Sequence, residues 1–162
     1  MKKLLCLIAA VAVAAYLGLL PFRATDVADL IPAQTAFIMK DGTTYTVDVG
    51  AGVSAIGNTL KKALAALQEQ TAGTVYFGTC EQLVLLGDTE ALLPEIAGET
   101  DFRPAAGVYT ASEMPDADAV SSYLHNHHGD LTINDVKAAL AAGEKVMLPQ
   151  IVPAGGGFRI LA

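Results

Sequence analysis

Leu83-Val84-Leu85-Leu86-Gly87 is an apolar run with no polar alternation, closed by a glycine. A stretch so short with no wet face suits a strand buried in a sheet that is covered on both sides, and this limits the chain to a layered architecture. Thr74-Val75-Tyr76-Phe77-Gly78 is a second run of the same kind. Ala106 to Ala111 reads as a further strand, and Val146-Met147-Leu148-Pro149 and Gly157 to Leu161 read as two more around the turn-rich Pro153 to Gly156.

Between these runs the spacing changes to that of helices. Leu60, Ala63, Leu64 and Leu67 recur on one face of a helix over Thr59 to Gln70, with Asn58 as its cap and Lys61, Lys62, Gln68 and Glu69 on the wet side. Asp88 or Thr89 starts a helix running to about Ala97, with Glu90 at the positive end of its dipole. Pro115 and Asp116 open a third, carrying Ala119, Val120, Tyr123 and Leu124 and closing around His127-His128-Gly129. Thr132 followed by Asp135 forms a short capping box for a fourth, which buries Ile133, Val136, Ala139 and Leu140 and stops at Gly143.

Upstream, Val27 to Leu30 and Thr35 to Met39 read as extended segments separated by Pro32. Asp41-Gly42 between Ala36-Phe37-Ile38-Met39 and Thr44 to Val49 predicts an antiparallel hairpin, since glycine takes the positive φ of a tight turn. Gly50-Ala51-Gly52 through Gly57 reads as a flexible crossing. Its glycines have neither dinucleotide spacing nor the Gly-Lys-Ser/Thr of a nucleotide loop. Strands alternating with helices predict an α/β fold: a mixed sheet, parallel in its middle, with about four helices in a single small domain over residues 24–162.

Residues 1–23 are set apart from that domain. Met1-Lys2-Lys3 is a basic start, Leu4 to Leu20 carries no charge, and Pro21-Phe22-Arg23 closes the segment. This predicts a signal peptide or an uncleaved signal anchor, with membrane contact through residues 4–20. Ala12-Val13-Ala14 offers a cleavage pattern, yet Tyr16 to Leu20 beyond it stays apolar, so both fates remain open. The expected location is extracytoplasmic, membrane-anchored or secreted.

From Ala24 onward seven basic residues face seventeen acidic ones, a net charge of −10. Nucleic acid is not an expected partner, and the domain surface repels anionic lipid head groups. Cys6 falls in the leader and Cys80 stands alone in the domain, so packing and not a disulfide framework must hold the fold. A lone Cys80 reads as a small buried hydrophobe, with no orienting base to make it a nucleophile.

Every histidine lies in His125-Asn126-His127-His128-Gly129-Asp130. Metal sites need such nitrogen donors, and only His125 and His128 have the spacing of ligands on one helix face, with no third His or paired Cys elsewhere. The competing reading is that histidines at a helix C-terminus complement its dipole in solvent. Ser54 lacks the second glycine of a nucleophile elbow, and Asp116 with Asp118, or Glu99 with Asp101, fall in exposed turns. No catalytic residue and no cofactor are expected.

The order of pieces resembles the N-terminal domain of the Ger(x)C family, the lipoprotein C subunits of bacterial spore germinant receptors. The resemblance rests on Arg23-Ala24-Thr25-Asp26-Val27-Ala28-Asp29-Leu30, on the glycine-started helix Gly57-Asn58-Thr59-Leu60-Lys61-Lys62-Ala63-Leu64, and on Val75 to Gly78 followed by Leu83 to Gly87. Leu148-Pro149 and the closing strand at Phe158 are compatible with it. Members carry a lipobox cysteine after the leader and two further domains. Here Leu19-Leu20-Pro21 stands in that place, so a differently anchored single domain is expected. The resemblance implies a non-enzymatic interaction domain outside the cytoplasmic membrane, linked to sporulation or germination, whose partner is an envelope or membrane protein. The alternatives are a metal-binding protein or enzyme using His125, His127 and His128, and a small-ligand binder with a cleft at the strand ends, where Gly78 and Gly87 allow close approach.

Overall fold

Asp41, Gly42 and Thr43 turn the chain between β2 (Thr35–Asp41) and β3 (Thr44–Asp48), and the two strands pair antiparallel from Phe37↔Asp48 to Asp41↔Thr44. The computed structural model of the chain describes residues 29–161. The leader over 1–23, Cys6, and Val27 and Ala28 of the first extended segment lie outside the described residues. Within them no helix is long and apolar enough to cross a membrane.

Among the described residues, nine strands and four α-helices follow the α/β order. The remaining strands are β1 (Leu30–Pro32), β4 (Ser54–Gly57), β5 (Thr74–Tyr76), β6 (Gln82–Gly87), β7 (Gly107–Ala111), β8 (Gln150–Ala154) and β9 (Gly157–Leu161). The helices are α1 (Leu60–Gln70), α2 (Thr89–Gly98), α3 (Ala117–Asn126) and α4 (Ile133–Ala142). Seven strands form one mixed sheet in the order β4-β3-β2-β6-β7-β8-β9. Its centre, β2-β6-β7-β8, is parallel, and antiparallel hairpins finish both edges.

The buried strand at Leu83 is covered on both sides, as its composition demands. Ile38, Leu83, Leu85 and Val108 pack under Leu64 and Leu67 of α1, Leu92 and Ile96 of α2, and Ile133 and Val136 of α4. On the other face Phe37, Val84, Leu86 and Tyr109 meet Val120 and Leu124, both from α3. Among the described residues, three helices therefore cover one face and one helix the other. Fully burying a residue such as Leu124 contributes about 1.5–3 kcal/mol, so α3 is held by few but valuable contacts.

Four sequence expectations change. Ser54 to Gly57 is not a linker. Gly50, Ala51 and Gly52 all take positive φ (78°, 52° and 75°), which folds the chain back so that β4 pairs with β3. Asp48 Oδ1 accepts from Gly50 N–H at 2.7 Å and fixes that turn. Four residues are too few to show alternation, although Ala55 points inward and Ile56 outward. Thr59, not Asn58, caps α1, its hydroxyl accepting from Lys62 N–H at 3.2 Å. Val75 belongs to no central strand: β5 pairs only with β1, in a separate two-stranded parallel sheet. Val146 to Pro149 is not a strand either. Proline has no N–H to give a ladder, and only the Pro149 carbonyl joins in, accepting from Thr110 N–H at 2.9 Å.

The expected capping box is present: Thr132 Oγ1 accepts from Asp135 N–H, Asp135 Oδ2 accepts from Thr132 N–H at 2.8 Å, and Gly143 closes α4 in the left-handed conformation.

Candidate functional site

A cleft lies on the α3 face, past the carboxyl ends of β7 and β8. It has a volume of about 610 Å³, and its wall is built from Ala111, Met114, Pro115, Ile151, Pro153 and Phe158. The floor follows from strand alternation, because Ala111 and Ile151 are register partners on the α3 face, and Phe158 pairs with Pro153 one step further on. Ala119, expected to pack inward, is exposed on the first turn of α3 and lines the cleft instead. Ligands of open parallel sheets gather at this end of the strands.

Polar groups at the cleft are few. Asp116 Oδ1 accepts from Ala119 N–H at 2.8 Å as the N-cap of α3, which fixes that carboxylate at the mouth beside exposed Glu113. Gln150 Nε2 donates to Ser112 Oγ at 2.8 Å and ties the loop after β7 to β8. Apolar walls with acidic lips suit a hydrophobic group flanked by positive charge.

Gly78 and Gly87 do not line this cleft. Gly78 makes room for the Tyr76 ring and Gly87 for the Lys40 carbonyl, so both glycines serve the chain's own packing.

The histidines sit at the opposite end of the sheet. All three are exposed, at the C-terminus of α3. His127 is the C-cap residue; its ring stacks on Tyr123 at 4.2 Å, and its Nδ1 lies 2.9 Å from the Tyr123 carbonyl. His125 and His128 line one polar hollow together with Glu81, and His125 Nδ1 is 3.7 Å from Glu81 Oε2. Among the described residues no three His, Cys, Asp or Glu side chains group closely enough to hold a metal ion.

Cys80 is fully buried, and its Sγ donates to the Gln82 carbonyl at 3.2 Å. Burial pushes its thiol up to about 12, which suppresses the thiolate that nucleophilic chemistry needs. Ser54 lies on the edge strand β4, and Asp116 is spent on its cap.

No family model, no curated protein and no solved structure matches this chain.

Gln82, Arg103 and Tyr109 at the polar hollow, and Met114, Ile151 and Phe158 at the cleft, were not legible as site residues. One signal was present: Gln82 is the one polar side chain of the apolar strand β6, and it is buried.

Proposed function

We propose that this protein is a non-enzymatic, extracytoplasmic interaction domain, anchored or exported by its residues 4–20, that receives an apolar segment of an envelope or membrane protein in the cleft between α3 and the β8–β9 hairpin. The cleft carries this reading: its walls are apolar, its lips are Glu113 and Asp116, and it lies at the ligand-binding end of a parallel sheet. The acidic balance of the domain agrees with a partner segment carrying lysine or arginine beside its apolar residues. The uncharged run Leu4 to Leu20 behind Lys2-Lys3 supports the membrane address. The resemblance to the germinant-receptor C subunit supports a sporulation or germination setting.

The test is photo-crosslinking in native membranes. A photoreactive residue replaces exposed Met114 at the cleft or, as control, exposed Met147 outside it. A discrete adduct from position 114 that is absent from 147, and that disappears with Phe158→Asp, is expected. Identical adducts from both positions, or recovery of the protein only from cytosol, would overturn the reading.

A further inference from the structure

The polar hollow at the amino ends of β6 and β7 has a volume of about 330 Å³ and lies at the opposite end of the strands from the apolar cleft. Two deeply buried side chains reach it, and each has hydrogen-bonding capacity to spare. Gln82 is 3% exposed; its amide oxygen accepts from the Thr35 hydroxyl at 3.1 Å, while its amide nitrogen has no partner among the described residues. No fully buried side-chain nitrogen or oxygen among those residues lacks a partner, so the spare amide nitrogen is not sealed in the core, and Gln82 lines both this hollow and the adjoining one beside Ser121. Tyr109 is 1% exposed; its hydroxyl accepts from Gly129 N–H at 2.7 Å, and its own proton meets no acceptor among the described residues. Burial holds the phenol above its usual range, which keeps that proton in place as a donor.

Arg103 lines the same hollow, exposed and without an ion pair or side-chain hydrogen bond among the described residues. The guanidinium, the amide N–H and the phenol O–H all donate, while the exposed rings of His125 and His128 in the same wall donate or accept according to tautomer. The complement of those donors is an acceptor with negative charge. Glu81, beside His125, is the one carboxylate in the wall and opposes such a ligand.

We propose that this hollow binds the oxyanion end, carboxylate or phosphate, of a small molecule, with Arg103 supplying the countercharge and Gln82 and Tyr109 the directed hydrogen bonds. Planar, forked donation by arginine suits either group. The proposal is independent of the docking cleft, which shares no wall residue with it.

The experiment titrates the full chain, solubilised in a non-ionic detergent, with sodium acetate and separately with inorganic phosphate at constant ionic strength. The Gly129 amide and the Gln82 side-chain amide are followed by NMR. Saturable shifts are expected. Arg103→Gln, a change at an exposed position, should weaken binding about tenfold, as loss of a charged hydrogen bond does. Glu81→Gln should tighten it. Tighter acetate assigns a carboxylate, and tighter phosphate a phosphate end. Shifts that stay linear for both anions, saturation that Arg103→Gln leaves unchanged, or binding abolished by Glu81→Gln would overturn the proposal. So would zinc saturating the same resonances where the anions do not.

Discussion

Gln68 closes on the main chain of Val75 with both ends of its amide: Nε2 donates to the Val75 carbonyl at 2.7 Å, and Oε1 accepts from the Val75 N–H at 2.8 Å. β5 has a strand partner, β1, in one direction only, and the helical side chain serves as a ladder partner in the other. Helical spacing places Gln68 on the wet side of α1; tertiary structure gives it a strand to complete.

Gln68→Ala removes both bonds and leaves the main chain of a buried residue unpaired. The expected loss is about 1–3 kcal/mol, read as a lower urea midpoint. Amide exchange at Val75 should accelerate with it. Unchanged protection at Val75 would show that the clamp holds nothing.

Gly87 ends β6 with φ +74°, and a Cβ there would collide with the Lys40 carbonyl oxygen of the neighbouring strand β2. Gly87→Ala is expected to cost about 1–3 kcal/mol from the left-handed backbone alone, and more from the collision. Gly98, the last residue of α2, has open space around its Cβ position. Gly98→Ala should be neutral or stabilising, by up to about 1 kcal/mol, in the same denaturation series.

Cys80 should resist thiol reagents in the folded protein. Burial raises its value from the ordinary 9.0 to about 12, so little thiolate forms at pH 8. With Cys6→Ser in place, one thiol per chain should react with Ellman's reagent only after denaturation. The linkage has a definite sign. A value raised on folding gives a contribution fully present below the unfolded value and lost as pH climbs from 9.0 toward about 12. Rapid native labelling at pH 8 contradicts this.

Asp135 has the opposite sign. Hydrogen bonds from the Thr132 hydroxyl and N–H hold its carboxyl below the ordinary 3.8. Its contribution to α4 is present above that value and is lost as pH falls through the folded one. Thr132→Ala should cost about 1 kcal/mol at neutral pH and flatten the acid limb of the stability curve. An acid limb that keeps its slope in the variant would remove the capping box as its cause.

Much of the fold is written locally. The Asp41-Gly42 turn, the Thr132 and Asp135 box, the Gly143 stop and the inward set Leu60, Ala63, Leu64 and Leu67 each depend on residues close in the chain. Those features follow from backbone preference and helical period. The parallel centre of the sheet follows too, since apolar runs without alternation need cover on both faces. Neither site is legible in that way. Tyr109 and Gln82 look like members of two strands, and only the pairing Gln82↔Gly107 brings their polar ends to one hollow. Ala111 and Ile151 join one cleft through a partnership across forty residues, and the β8–β9 hairpin brings Phe158 to it.

By itself, the sequence determined the α/β class, most helix limits, the hairpin at Gly42 and the burial of Cys80, because each depends on near neighbours or on bulk polarity. Tertiary structure decided which strands are neighbours, that β5 leaves the main sheet for β1, that α3 packs on the face opposite the other three described helices, and therefore where a cleft and a polar hollow open. Such outcomes depend on contacts between residues far apart in the chain, whose geometry no local pattern specifies.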